Sequence, residues 1–115
     1  MSFETLSIRV LDWAKERGIF EKGDALAQLA KTQEELDETI EAIKELQDLN
    51  HHGPKMDSTL TEMDGVMDGI GDMLVTIIIL SEMMNLNPVD CLCVAYEEIK
   101  DRTGKMVGGQ FVKDK

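Results

Sequence analysis

Thr59–Asn85 reads TLTEMDGVMDGIGDMLVTIIILSEMMN, and the fold class turns on whether this stretch is helix or strand. Its second half, Met73 to Leu80, is apolar on nearly every face. Taken alone, Val75 to Leu80 suits a strand, because β-branched side chains pack well on a pleated surface. The residues upstream decide for helix. The apolar pattern is periodic well before the run begins, and Thr59 followed three residues later by Glu62 is a capping signal. A helix that is apolar all round belongs at the buried centre of a bundle or in an interface between copies.

The chain on either side supports the same class. Upstream, a helix is predicted from about Asp24, a plausible N-cap, to about Leu49. Leu29, Leu36, Ile40 and Ile43 form an apolar stripe along it. Asn50 to Pro54, with its Gly-Pro step, interrupts the pattern as a loop. The first helix spans about Phe3 to Arg17, with Leu6, Val10, Trp13 and Ala14 at spacings of three and four. Gly18 closes it, and Ile19 to Gly23 is a short connection. Downstream, Asn87-Pro88 is a cap followed by proline at the first helical position. That helix continues to about Arg102 and ends by Gly104. Residues 105–115 form either a loose tail or a small hairpin about Gly108-Gly109. The expectation is one all-α domain over residues 1–115, a four-helix bundle. A chain of 115 residues has a poor surface-to-volume ratio, so self-association is expected to complete its core.

Twelve basic residues stand against 23 acidic ones, a net charge of −11. Such a chain repels nucleic acid polymers and anionic membranes, and a phosphate-bearing ligand needs cations to bridge it. Met73 to Leu80 is far shorter than the ~20 residues of a membrane helix. Met1 to Val10 is amphipathic, carries Glu4 and Arg9, and does not read as a secretion signal. Cys91 and Cys93, two apart on a helix, are expected as free buried thiols in a cytoplasmic, reducing setting.

Two acidic strips are the clearest chemical feature. Glu35 and Glu38 are three apart and share a helix face with Lys31 and Ala42, beside the apolar stripe. Asp64, Asp68 and Asp72 recur every four residues on the next long helix. Like charges at that spacing repel by ~0.2–0.5 kcal/mol per pair. Gly65, Gly69 and Gly71 each weaken the same helix by about 1 kcal/mol relative to alanine. Local sequence that opposes the wider pattern concentrates at functional sites. A hard divalent cation relieves the repulsion, and oxygen-only ligands suit magnesium or manganese. The alternative is a solvated face on an acidic protein. Asp64 to Val75 lacks the ligand pattern of a calcium loop, and no phosphate-binding glycine loop is present. His51-His52 reads as a solvent-facing loop pair. Lys100, Arg102 and Lys105 either compensate a helix C-terminus or clamp phosphates. Trp13, the single tryptophan, is either core or a platform for a base.

Three segments resemble the MazG-type all-α nucleoside triphosphate pyrophosphohydrolases. Gln33 to Ile43 is similar to that family's first metal motif, Glu-x-x-Glu within a helix. Asp68 to Leu74 resembles its second, usually Glu-x-x-Asp before an apolar run; Gly69 stands at the glutamate's position and Asp68 is the nearest carboxylate to it. Ala95 to Met106 is similar to the closing segment of small phage and bacterial members. The resemblance implies magnesium-dependent hydrolysis of nucleoside triphosphates to the monophosphate and pyrophosphate, serving nucleotide-pool control. It implies Glu35, Glu38, Asp68 and Asp72 as metal ligands, and Glu38 or Glu34 as proton acceptor. Lys31, Lys100, Arg102 and Lys105 would hold phosphates, Trp13 the base, and a dimer or tetramer would be the assembly. From a different class, a non-catalytic helical interaction module with the same fold is the competing expectation.

Overall fold

The computed structural model describes residues 1–51 and 56–115, with side chains described over 1–48 and 63–115. His52 and the Gly53-Pro54 step lie outside the described residues, as do the side chains of His51, Thr59 and Glu62. The chain is mostly helical: α1 (Phe3–Glu16), α2 (Ile19–Lys22), α3 (Ala25–His51), α4 (Met56–Met83) and α5 (Pro88–Ile99), then β1 (Gly104–Val107) and β2 (Gln110–Lys113). Met73 to Leu80 is helix, inside α4.

Side chains hold the helix ends. Ser2 accepts from the Thr5 amide at 3.1 Å, Asp24 from Ala27 at 2.9 Å, and Asn87 from Val89 at 2.8 Å. Each satisfies a donor left free in a first turn. Asn85 takes a left-handed conformation (φ 59°) just past α4, and the Leu86 amide returns to the Ser81 carbonyl at 2.8 Å. This ends the helix two residues before Asn87 starts the next. The C-terminal residues form an antiparallel hairpin with Val107 opposite Gln110. Gly108 and Gly109, at φ 58° and 83°, supply the two positive dihedrals that a tight two-residue turn demands.

The α3–α4 contact organises the rest. Gln28 Nε2 donates to the Thr76 carbonyl at 3.1 Å, and the Thr32 hydroxyl to Thr76 Oγ1 at 2.8 Å. Further along, Gly69 lies against Thr39 and Gly65 against Ala42. One number falls as the other rises, so the helices are antiparallel. On α3 the inward line is Gln28, Thr32, Glu35, Thr39, Ala42 and Leu46, alternating spacings of four and three. That is the period of a coiled-coil seam, filled here by small and polar residues. A Cβ built at Gly69 would collide with Thr39 Oγ1 and sit 3.3 Å from Thr39 Cα. Gly69 therefore serves the close approach of two helices.

The apolar stripe is not the inward face. Leu29, Leu36, Ile40 and Ile43 are 39–48% exposed. The small-residue seam takes the contact and leaves the stripe on one flank of the pair. Among the described residues the buried apolar side chains are Ala14, Ile78 and Ile79, where α1 packs across α4. α5 meets the end of α4, and from Asp90 to Lys100 every residue is exposed. Cys91 and Cys93 are free but exposed, correcting the expectation of burial: the helix that carries them lies outside the protomer's core. The radius of gyration is 17.4 Å. A compact globule of this length has about 13 Å.

Two glycines of α4 should respond oppositely to alanine. Gly69→Ala inserts a methyl into the seam and should cost ~1–3 kcal/mol. Gly71, whose Cβ would meet nothing within 4 Å, should gain up to about 1 kcal/mol from the better helix former. Urea unfolding followed by circular dichroism separates the two.

Candidate metal and phosphate groove

The seam fixes where the acidic strips lie. Glu38 follows Glu35 by three residues, and Asp72 follows Gly69 by three. At about 100° per residue, each is turned about 60° to the same hand of its own inward line. In an antiparallel pair, equal turns of the same hand fall on one side, so Glu38 and Asp72 share a flank. Asp68, one residue before Gly69, falls there too. The register set by Thr32–Thr76 and Thr39–Gly69 puts Glu35 level with Asp72 and Met73, and Glu38 level with Gly69 and Ile70. Glu38, Asp68 and Asp72 thus lie on one flank of the helix pair, with Glu35 buried in the seam beside them. The stripe of Leu29, Leu36, Ile40 and Ile43 occupies the opposite flank of α3. Among the described residues no group of three or more His, Cys, Asp or Glu side chains is placed so that it could hold a metal ion.

Within the α3 strip the charges feel one another. Glu35 is buried at 8% exposure, while Glu34 and Glu38 are open. The Lys31 ammonium sits 3.4 Å from Glu34 and 3.5 Å from Glu35. Hydrogen bonding and charge from Glu34 hold Lys31 above its ordinary value, with a smaller part from Glu35. Glu38 is pushed above the usual carboxylate range, first by the charge of Glu35. Desolvation, a hydrogen bond with Glu35 and the charge of Glu34 add to this, and Lys31 opposes it. One lysine against three glutamates leaves excess negative charge, the setting that a divalent cation relieves.

Trp13 is not core. It is 44% exposed and lines a cleft of about 380 Å³ with Leu6, Arg9 and Val10 of α1 and Asp72 and Val75 of α4. The Arg17 guanidinium stacks over the indole, 4.5 Å from the ring centre, and donates to the Trp13 carbonyl at 3.2 Å. The cleft joins a predicted metal ligand to a predicted base platform. A larger cleft of about 710 Å³, between α1, α2 and the end of α4, contains none of the predicted residues and stands away from this chemistry.

The basic residues near the C-terminus are not brought to the groove. Lys100 pairs with Glu97 at 2.7 Å, Arg102 and Lys105 are exposed, and the Trp13–Asp72 cleft is lined by none of the three. Two residues that matter to the groove escaped the sequence. Thr39 reads as an ordinary helical threonine until Gly69 is placed against it. Arg9 lies one turn before Trp13, and its signal was the spacing of Arg9, Trp13 and Arg17 at i, i+4 and i+8.

Compared with models of protein families, with curated proteins and with solved structures, the chain matches none.

The raised Glu38 has a thermodynamic consequence. A carboxyl whose folded value lies above its unfolded value stabilises the fold while protonated, and that contribution is lost as pH rises through the folded value. Glu38→Gln, which stays neutral, should therefore melt higher than the parent at neutral pH, with the gap closing toward acid. Thermal melts across pH in metal-free buffer measure this. A gap that does not change with pH would remove the repulsion from the account.

Proposed function

We propose that the protein is a magnesium-dependent nucleoside triphosphate pyrophosphohydrolase, releasing a nucleoside monophosphate and pyrophosphate. The observation that supports it is the common flank of Glu38, Asp68 and Asp72, with Glu35 in the seam beside them and Asp72 lining the cleft that also holds Trp13. Magnesium, or manganese, fits this donor set, which is all oxygen, and relieves the repulsion that raises Glu38. When bound, such an ion neutralises phosphate charge and polarises the phosphoryl oxygens.

The chain's own residues do the remainder. A water oxygen bonds to the α-phosphorus, the bond from that phosphorus to the bridging oxygen breaks, and pyrophosphate leaves with the electron pair. The water's proton passes to Glu38 or Glu34, both exposed on the groove flank and able to accept it. Lys31, already drawn to Glu34 and Glu35, holds phosphate electrostatically, and Trp13 offers its face to the base.

Self-association belongs to the same proposal. Leu92, Val94, Tyr96 and Ile99 on α5 are each at least half exposed, as are Met106 and Phe111 on the hairpin. A two-stranded hairpin and a lone amphipathic helix are marginal without a partner surface. A dimer or tetramer that covers α5 and the α3 stripe completes a four-helix core. It also offers a route by which Lys100, Arg102 and Lys105 of one copy reach the groove of another. Among the described residues no helix is long and apolar enough to cross a membrane.

The same open apolar faces favour a second reading, a helical interaction module without turnover. Pyrophosphate release from a panel of canonical and modified triphosphates, with and without magnesium, separates the two. The expected result is magnesium-dependent release that Glu38→Gln abolishes without loss of helical content. No release from any nucleotide favours the module. Analytical ultracentrifugation should find a dimer or larger; a monomer at micromolar concentration would refute the assembly.

A further inference from the structure

We infer that Arg9, in addition to Lys31, holds a phosphate of the bound nucleotide, a role that rests on the hydrolase reading above. Arg9 and Asp72 face the same cleft from opposite helices, with Trp13 one turn along α1 from Arg9. The cleft volume of about 380 Å³ falls within the usual range for small-molecule sites, roughly 300–1,000 Å³. Leu6, Val10 and Val75 give it an apolar wall, suited to the body of a nucleoside. Its charged ends, Arg9 and Asp72, are where a phosphate chain and its counter-ion would lie.

The other cations near the groove are engaged. Lys31 is bound to Glu34 and Glu35, and Arg17 to the Trp13 face and carbonyl. Among the described residues Arg9 has no carboxylate within ion-pairing distance and no side-chain hydrogen bond. A guanidinium offers five donors in a fixed fork that matches phosphate oxygens, so an unengaged one beside a predicted metal ligand is set to take an anion. The chain carries an overall charge of −11. A polyanion therefore needs a local cation as well as a metal to settle against α4.

Trp13 is the single tryptophan, so its fluorescence reports on this cleft alone. The test titrates protein with magnesium and non-hydrolysable α,β-imido nucleoside triphosphates of several bases, and separately with the nucleosides. The parent should give a saturable change. Arg9→Gln should weaken triphosphate binding by roughly tenfold or more, the scale of a lost charge-assisted hydrogen bond. Nucleoside affinity should hold, and Arg9→Lys should recover part of the loss. Equal triphosphate affinity in Arg9→Gln overturns the inference. So does an equal loss for nucleoside and triphosphate, or a parent that shows no saturable change. Pyrophosphate release is read in parallel. Turnover with binding indifferent to Arg9 defeats this assignment and spares the hydrolase. Arg9-dependent binding without turnover does the reverse.

Discussion

The close approach of α3 and α4 at Gly69 and Thr39 is the constraint on which the other features depend. Two long helices can meet through large apolar side chains or through small ones. Here the seam runs Gln28, Thr32, Glu35, Thr39 and Ala42 against Gly65, Gly69 and Thr76. Hydroxyls that would otherwise be buried without partners are satisfied locally: Thr39 donates to the Glu35 carbonyl at 2.8 Å, and Thr32 reaches Thr76 across the seam. A seam of this kind buries little apolar area, so it specifies register more than it supplies stability. The specified register is what sets Glu35 and Glu38 level with Asp68 and Asp72.

Placing small residues inside has a cost on the outside. The α3 stripe, α5 and the hairpin keep much of their apolar surface exposed, and few apolar side chains are buried anywhere in the described protomer. Conformational entropy opposes folding by about 1–2 kcal/mol per ordered residue, and it is hydrophobic burial that chiefly offsets it. The self-association proposed above would add apolar burial at those faces. On that view the groove and the association surface are two flanks of the same helix pair. The acidic residues lie on one flank and the apolar stripe on the other, with the small-residue seam between them.

Much of the architecture was legible in the sequence. Helical period upstream of Met73 overrode the strand preference of Val75 to Leu80, because a pattern sustained over several turns outweighs the propensity of six residues. Asp24 and Asn87-Pro88 marked helix starts because capping is local chemistry. The Gly108-Gly109 step marked the hairpin for the same reason. What failed was the assignment of faces. Leu29, Leu36, Ile40 and Ile43 form the stripe that helical period alone would turn inward, and nothing local says that the contact between the two long helices will be lined by threonine and glycine. Gly69 shows the same limit. It was read as a local conflict of the kind found at functional sites, and as a gap in a metal motif. Its environment shows a packing role that becomes visible once Thr39 is opposite. Cys91 and Cys93 were placed in a core that α5 does not join in one chain.

The groove itself was half legible. Spacing alone put Glu35 with Glu38, and Asp68 with Asp72, because helical geometry relates residues on one helix. Bringing the two pairs to one flank required the hand and register of the α3–α4 pair, which arise from contacts far apart in sequence. Once that register is known, the electrostatics follow with little freedom. Glu35 is drawn into the seam and held by Lys31, Glu38 is left outside beside it, and the charge of Glu35 makes the Glu38 proton harder to lose. Those two glutamates, three residues apart, therefore stand in different environments: one buried and paired with Lys31, the other open and pushed above the usual carboxylate range. The different surroundings of the two glutamates thus come from the seam, which takes one side chain in and leaves the other on the flank.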